Sequence, residues 1–163
     1  MKTVSTEELR GWLESCLAVP RWVDGVLARG PFSTPADLLL AAREEATPLT
    51  RVEIDQALSG HPRIGEVAAG DSEASRFSRV EQQSDDAHDQ ALSEAIAEGN
   101  RAYDERFGRI FLIRAAGRSR TEILNELNRR LQLDEHAELS TVANELREIA
   151  LLRLARLAAR SPE

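Results

Sequence analysis

ELSTVANELREIALLRLARLAA, running from Glu138 to Ala159, is the stretch whose reading decides the fold class. At about 100° per residue, Leu146, Ile149, Ala150 and Leu157 fall on one face, so the segment reads as the last and longest helix of the chain. Arg153 lies in the middle of that apolar face. A guanidinium aimed at a core has two accounts. Either its aliphatic stem packs while the head snorkels to water or pairs with a structural carboxylate, or it clamps a carboxylate or planar polar ligand through two parallel bonds. Periodicity alone leaves both open.

Upstream, the same three- and four-residue spacing recurs. Thr6 to Val19 sets Leu9, Trp12, Leu13, Cys16 and Leu17 on one face, and Pro20 opens a second helix with Trp22, Val23 and Val26 inward before Gly30-Pro31 breaks it. Thr34-Pro35 opens a third helix, and Thr50-Arg51-Val52-Glu53 opens a fourth that ends near Gly60. Gly65 to Asp71 reads as loop. Helicity resumes near Ser72 and continues, with a break around Ser84 to Asp86, to Phe107; its inward stripe is Ala91, Ala95 or Ile96, Gly99, Tyr103 and Phe107, with Gly108 as the stop. Phe111-Leu112-Ile113 is too short to establish a strand and reads as a buried extended connector leading to Gly117. Ser119-Arg120-Thr121-Glu122 opens the penultimate helix. With no internal repeat, low-complexity tract or linker, the chain reads as one compact all-α domain over residues 1–163, with roughly six to eight helices.

Composition narrows the class of partner. The 163 residues are 42% apolar, enough to bury one core without disulfides, and the lone Cys16 cannot form an internal bridge. No basic N-terminus leads into an apolar h-region and no long uninterrupted apolar run occurs, so a soluble, cytoplasmic protein is expected. Arg160-Ser161-Pro162-Glu163 carries no peroxisomal Ser-Lys-Leu-type signal. A formal charge of −7 without a dense Lys/Arg stripe argues against nucleic acid or an anionic membrane as partner.

Two clusters carry the chemistry: His61-Pro62-Arg63-Ile64-Gly65 and Ser78-Arg79-Val80-Glu81-Gln82. A histidine titrates near neutrality, and a carboxylate within reach can orient it or hold its proton, which makes an acid/base unit without a metal. Each has a structural alternative. Ser78 to Glu81 has the form of a capping box, as do Thr50 to Glu53 and Ser119 to Glu122, whereas a helical reading puts Ser78, Glu81 and Gln82 on one face where they can converge on a pocket. His61, pushed toward extended geometry by Pro62, belongs at a turn after the fourth helix and equally suits a partly buried hydrogen-bonding group. Asp85, His88 and Asp89 could share a helical face, but dense acidic residues at a helix start more often complement its dipole, so no metal is expected. Cys16 is read as core filler. The chain has no phosphate-binding glycine loop, no nucleophile elbow and no Cys/His pair with zinc spacing.

The ordered set of motifs resolves what spacing leaves open. His61-Pro62-x-Ile-Gly, Ser78-x-x-Glu81-Gln82, Asn100-x-x-Tyr103-x-x-Arg106-Phe107-Gly108, Phe111-x-Ile113, Glu145 and Leu152-Arg153-Leu154 together resemble the OHCU decarboxylase family, whose substrate is 2-oxo-4-hydroxy-4-carboxy-5-ureidoimidazoline. The likeness spans almost the whole chain, including the Cys16 and Trp22 region. It departs at Arg109, where the family commonly has an aromatic residue after Phe-Gly, which bears on pocket lining or dimer packing.

The resemblance implies an all-helical, homodimeric lyase of uric acid breakdown that needs no cofactor, takes a small ureido-imidazoline and delivers (S)-allantoin. By the same resemblance His61 is the proton donor and Glu81 its acidic partner. Ser78, Arg79, Val80, Gln82 and Arg153 contact the ligand, Pro62 lines the site, and Phe111, Leu112, Ile113, Arg114 and Ala115 offer main-chain groups to the ring and ureido amides. The alternatives are a non-catalytic helical ligand-binding or interaction module that retained the fold, and a helical hydrolase using His61 to activate water, which lacks an evident oxyanion site.

Overall fold

The computed structural model describes residues 4–160, so Met1 to Thr3 and the terminal Ser161 to Glu163, read above for targeting signals, lie outside the described residues. Among the described residues there are eight α-helices and no β-strand, in agreement with the all-α reading. None of these helices is long and apolar enough to cross a membrane. The described residues group into two compact units, one running to Gly60 and resuming at Leu146, the other spanning His61–Glu145.

In the first unit lie α1 (Thr6–Cys16), α2 (Pro20–Ala28), α3 (Pro35–Glu45), α4 (Arg51–Leu58) and the second part of α8 (Glu135–Arg160). Caps predicted from Thr34 and Thr50 are present, each hydroxyl accepting from the amide three residues on while Asp37 or Glu53 reaches back. Helix α1 stops at Cys16, three residues short of the expected Val19, because Leu17 turns to an extended conformation. Leu9, Leu13, Cys16 and Leu17 are buried as expected, but Trp12 is only half-buried. Trp22 is fully enclosed, and its indole N–H donates to the Ala42 carbonyl at 2.9 Å, so α2 is tied to α3 through the one polar atom of its largest core residue. Arg153 is buried at 3% exposure among Leu146, Ile149, Ala150, Leu154 and Leu157, which bears out its place on the apolar face.

The second unit holds α5 (Glu73–Glu81), α6 (Gln90–Phe107), α7 (Arg120–Arg130) and the start of α8. Its core is Ile64, Ile96, Tyr103, Phe107, Phe111, Ile113, Ala115, Ile123 and Leu127. Helices α6 and α7 pack closely because Gly99 has no side chain: a Cβ there would stand 2.4 Å from Leu127 Cδ2. Ala91, expected inward, is exposed, and the buried stripe instead begins at Ile96 and includes Asn100. Gly108 ends α6 in the left-handed region at φ 66°. The break after α5 spans residues 82–89 rather than a few residues around Ser84. Helix α8 begins at Glu135, three residues before the expected Glu138, since Asp134 caps it through the Ala137 amide at 2.8 Å. Phe111 to Ile113 is a buried connector outside any helix or strand, as read.

Asp86 organises the long break. Its carboxylate accepts from the Arg120 amide at 2.7 Å and from the Thr121 amide and hydroxyl at 3.1 Å each, so it caps α7 from a distant loop while Asp89 caps α6 through the Leu92 amide. Of Asp85, His88 and Asp89, weighed above as a metal-like cluster, the last is a helix cap; among the described residues no three His, Cys, Asp or Glu side chains are placed to hold an ion. The Arg120 amide, followed by the Thr121 and Ser84 donors and opposed by burial, holds the Asp86 carboxyl down to about 2. A depressed folded-state value means that its contribution is present above the unfolded value of about 3.9 and is lost as pH falls toward 2. Asp86→Asn should therefore melt below wild type at pH 7, with the gap closing between pH 4 and pH 2. A gap that stays constant over that range in thermal melts would show that the carboxylate charge contributes nothing.

Candidate active site

Ser78, Glu81 and Gln82 do not form a helix start. Helix α5 begins earlier, capped by the Ser72 hydroxyl, which accepts from the Ser75 amide at 3.1 Å, so Ser78 and Glu81 lie in its last turns and Gln82 is its C-cap. The capping-box form of Ser78 to Glu81 is therefore a coincidence of composition, whereas the same form at Thr50 and at Ser119 is a true cap. Ser78 is buried and its hydroxyl donates to the Ala74 carbonyl at 3.1 Å. Glu81 and Gln82 are half-buried, and Val80 is 53% exposed on another side of the helix.

Gln82 joins the two sequence clusters. Its Oε1 accepts from the Gly65 amide at 3.0 Å and its Nε2 donates to the Glu66 carbonyl at 3.3 Å. The end of α5, with Glu81, is thereby pinned four residues from His61. Arg79 extends the clamp, donating to the carbonyls of Ala68 and Gly70 at 3.1 and 2.9 Å. On the other side Arg120 donates to the Gln82 carbonyl at 3.2 Å, placing a cation at the C-terminal end of α5, where the helix dipole favours one. The side chains of Arg79 and Gln82, expected to touch the ligand, are thus engaged with the loop that carries His61.

The rest of the histidine motif is anchored to α6. Arg63 pairs with Asp104, and the Ile64 carbonyl accepts from Asn100 Nδ2 at 3.0 Å. Gly65 has φ 93°, a conformation costing a side-chain-bearing residue roughly 1–2 kcal/mol, which accounts for glycine at that position. His61 and Pro62 stand half-buried just before these three anchors. The second motif is explained by the same packing: Asn100 holds Ile64, Arg106 donates to the Leu133 carbonyl at 2.8 Å, and Tyr103 meets the ring of Phe107 at 4.7 Å and of Phe111 at 5.3 Å.

A buried ion pair that sequence reading missed supports the connector. Arg130 and Glu138 are both fully enclosed; the guanidinium donates to both carboxylate oxygens, and Nη1 donates to the Leu112 carbonyl at 2.7 Å. Arg130 also stacks 4.7 Å from the Phe111 ring. The Tyr103 hydroxyl donates to Glu138, and burial followed by that carboxylate pushes the phenol above its usual range, so it remains a donor at neutral pH. No local pattern marks Arg130, since it lies at the end of a strongly polar helix; its spacing from Glu138 across a turn is the only signal available. Two residues on, the Arg114 amide donates to Glu145 Oε2 at 2.6 Å. Arg109, the departure noted above, makes a two-point pair with Glu135 at 2.9 and 3.2 Å and lies 5.5 Å from the Phe107 ring, so its role in this unit is packing.

An open cleft of about 460 Å³ adjoins the motif, lined in part by Arg63, Ile64, Glu66, Ala97, Asn100 and Arg120. His61, Pro62, Ser78 and Glu81 do not line it, and Arg63 and Asn100 already anchor the loop. The cleft is thus lined by residues that anchor the loop and not by the four site residues expected from the sequence.

Comparison with known proteins points to one family. A family model described as OHCU decarboxylase matches residues 2–155. The curated uric acid degradation bifunctional protein TTL of Arabidopsis thaliana is 36% identical over 105 residues, which are 63% of this chain and 32% of that protein; the chain thus spans about a third of that relative's length. A crystal structure of OHCU decarboxylase in the presence of (S)-allantoin superposes with a TM-score of 0.74 at 27% identity, covering 91% of this chain and 98% of the other. A crystal structure of (S)-allantoin synthase shares the fold, with a TM-score of 0.61 at 18% identity over 92% of this chain and half of that one.

Proposed function

Because the chain belongs to the OHCU decarboxylase family, we propose that it converts 2-oxo-4-hydroxy-4-carboxy-5-ureidoimidazoline to (S)-allantoin, with His61 as proton donor and no cofactor. The observation that carries the catalytic assignment is the Gln82 clamp, which ties the end of α5 to the loop that His61 opens. Loss of CO2 breaks one carbon–carbon bond and leaves an electron pair, for which the ring's own C=N bond is the sink. A proton must then return to the carbon that lost the carboxylate. His61 supplies it from one face, while Glu81 orients the hydroxyl beside the departing carboxylate and couples to His61. Ser78 supplies a polar contact at the site and Pro62 lines it. The single cysteine suits a reducing compartment, so we place the protein in the cytoplasm, as a homodimer acting on a small molecule.

The purified full chain, given freshly generated substrate and no added cofactor, should accelerate its loss over spontaneous decay. An unchanged decay rate would leave the non-catalytic binding module as the better reading. Product handedness tests the mechanism more sharply. A planar intermediate in free solution takes its proton on either face, whereas a fixed donor selects one. In D2O the product should carry one deuterium at the new stereocentre with one handedness by NMR and circular dichroism. Racemic product at an accelerated rate would remove His61 from the donor role.

A further inference from the structure

The open cleft of about 460 Å³ has the size of a small-molecule site. Much of its wall is one face of α6, on which Ser93, Ala97, Asn100 and Asp104 follow one another at three- and four-residue spacing. Arg63 to Glu66 belong to the same wall, as does Arg120, the first residue of α7. Three of these side chains each bring one enclosed polar atom that nothing among the described residues satisfies: Asn100 Oδ1, Asp104 Oδ1 and Arg120 Nη1. Asn100 and Arg120 are only 7% and 8% exposed. The identity of each orphan is fixed by its neighbours. Asn100 Nδ2 is committed to the Ile64 carbonyl at 3.0 Å, so the atom left over is an acceptor. Asp104 turns its other oxygen to Arg63, and Arg120 gives Nη2 to the Gln82 carbonyl at 3.2 Å. Asp86 acts on Arg120 electrostatically, but its oxygens are spent on the Arg120 and Thr121 amides and on the Ser84 and Thr121 hydroxyls. Burial pulls the Arg120 guanidinium below its ordinary value with Asp86 opposing, so its charged form gains from a further anion. Two acceptors and a cationic donor left unpaired beside an open cleft are costly unless something enters to pair them.

We propose that this cleft is a second small-molecule site, for a compact zwitterion whose ammonium is taken by Asn100 and Asp104 and whose carboxylate is taken by Arg120. An ammonium offers three N–H donors to two acceptors one helical turn apart, and a carboxylate offers the acceptor and the negative charge that the guanidinium lacks. A purely anionic ligand would leave both acceptors of α6 unpaired. A purely cationic one would leave Arg120 without its anion. The wall itself carries both signs, with Arg63, Arg101 and Arg120 against Glu66 and Asp104. His61, Pro62, Ser78 and Glu81 do not line this cleft, so the site is distinct from the one assigned above and stands whether or not that assignment holds. It does share the loop: an occupant held between Asn100, Asp104 and Arg120 adds a tie across the wall to which Arg63 to Glu66 belong.

Calorimetric titration of the full chain with L-alanine, β-alanine and γ-aminobutyrate, whose charged ends stand progressively further apart, should find at least one that binds one per chain. Acetate and methylammonium, which carry one end each, should bind about tenfold more weakly or less, the worth of one charge-assisted hydrogen bond. Hydrogen exchange over residues 63–66 and 100–104 should slow when the zwitterion is present. Ala97→Phe fills the cleft from an exposed position on α6 and should lower the affinity by at least about tenfold with helical circular dichroism unchanged. Arg120→Gln should weaken the zwitterion to about the level of methylammonium. No binding of any of the three zwitterions, which would leave the cleft to water, would overturn the proposal. So would acetate or methylammonium binding as tightly as the best zwitterion, or wild-type affinity in Ala97→Phe. If Ala97→Phe does not fold, Ala97→Leu is read in the same way.

Discussion

His61→Asn should lower turnover by about 10²- to 10⁴-fold, the usual worth of a general acid, with helical circular dichroism and melting temperature kept close to wild type. The separation of the two readouts follows from how the motif is built. Arg63, Ile64 and Gly65 make the anchoring contacts to Asp104, Asn100 and Gln82, so exchanging the imidazole for an amide of similar size leaves those anchors in place. Steady-state rates on freshly generated substrate decide the matter; a variant keeping more than about a tenth of wild-type activity would be incompatible with the rate that a general acid supplies. Glu81→Gln should also impair turnover. If it moved only the melting temperature, Glu81 would be a structural residue of the last turn of α5.

Arg130→Met should destabilise the fold by about 3–5 kcal/mol, because it leaves the Glu138 carboxylate enclosed without its cation. The loss includes the bond to the Leu112 carbonyl, so the connector loosens as well. For a chain of this length the expected fall in melting temperature is about 6–20 °C. Arg130→Met combined with Glu138→Leu should recover much of that, since removing both charges leaves neither stranded; the Tyr103 hydroxyl would then need water or a new acceptor. A single variant that melts within about 2 °C of wild type would mean that the pair contributes little beyond filling space.

Many residues of the motifs legible in the sequence serve, in the structure, as support. Of His61-Pro62-Arg63-Ile64-Gly65, the last three residues hold the loop, and Gly65 is there for its backbone angle. Arg79 and Gln82 read as ligand contacts, yet their side chains bind loop carbonyls and an amide. Asn100, Tyr103 and Arg106 recur at helical spacing because each reaches a different neighbour from one face of α6. Arg109 is absorbed by a pair with Glu135. A side chain with hydrogen-bonding capacity looks alike in sequence whether its partner is a substrate or the protein's own backbone.

By itself the sequence determined most of the helices, the openings at Thr34, Thr50 and Ser119, the buried connector and the place of Arg153 on an apolar helical face, because these depend on periodicity and on groups within three or four residues. Tertiary structure alone decided that α5 starts at Ser72 and not at Ser78, that Asp86 caps a helix 34 residues away, and that Arg130 and Glu138 close a buried pair behind Leu112. Each of these rests on a partner brought near by packing. A polar group left unpaired in a core costs more than any local propensity supplies, so the available partner, and not the local pattern, settles what such a residue does.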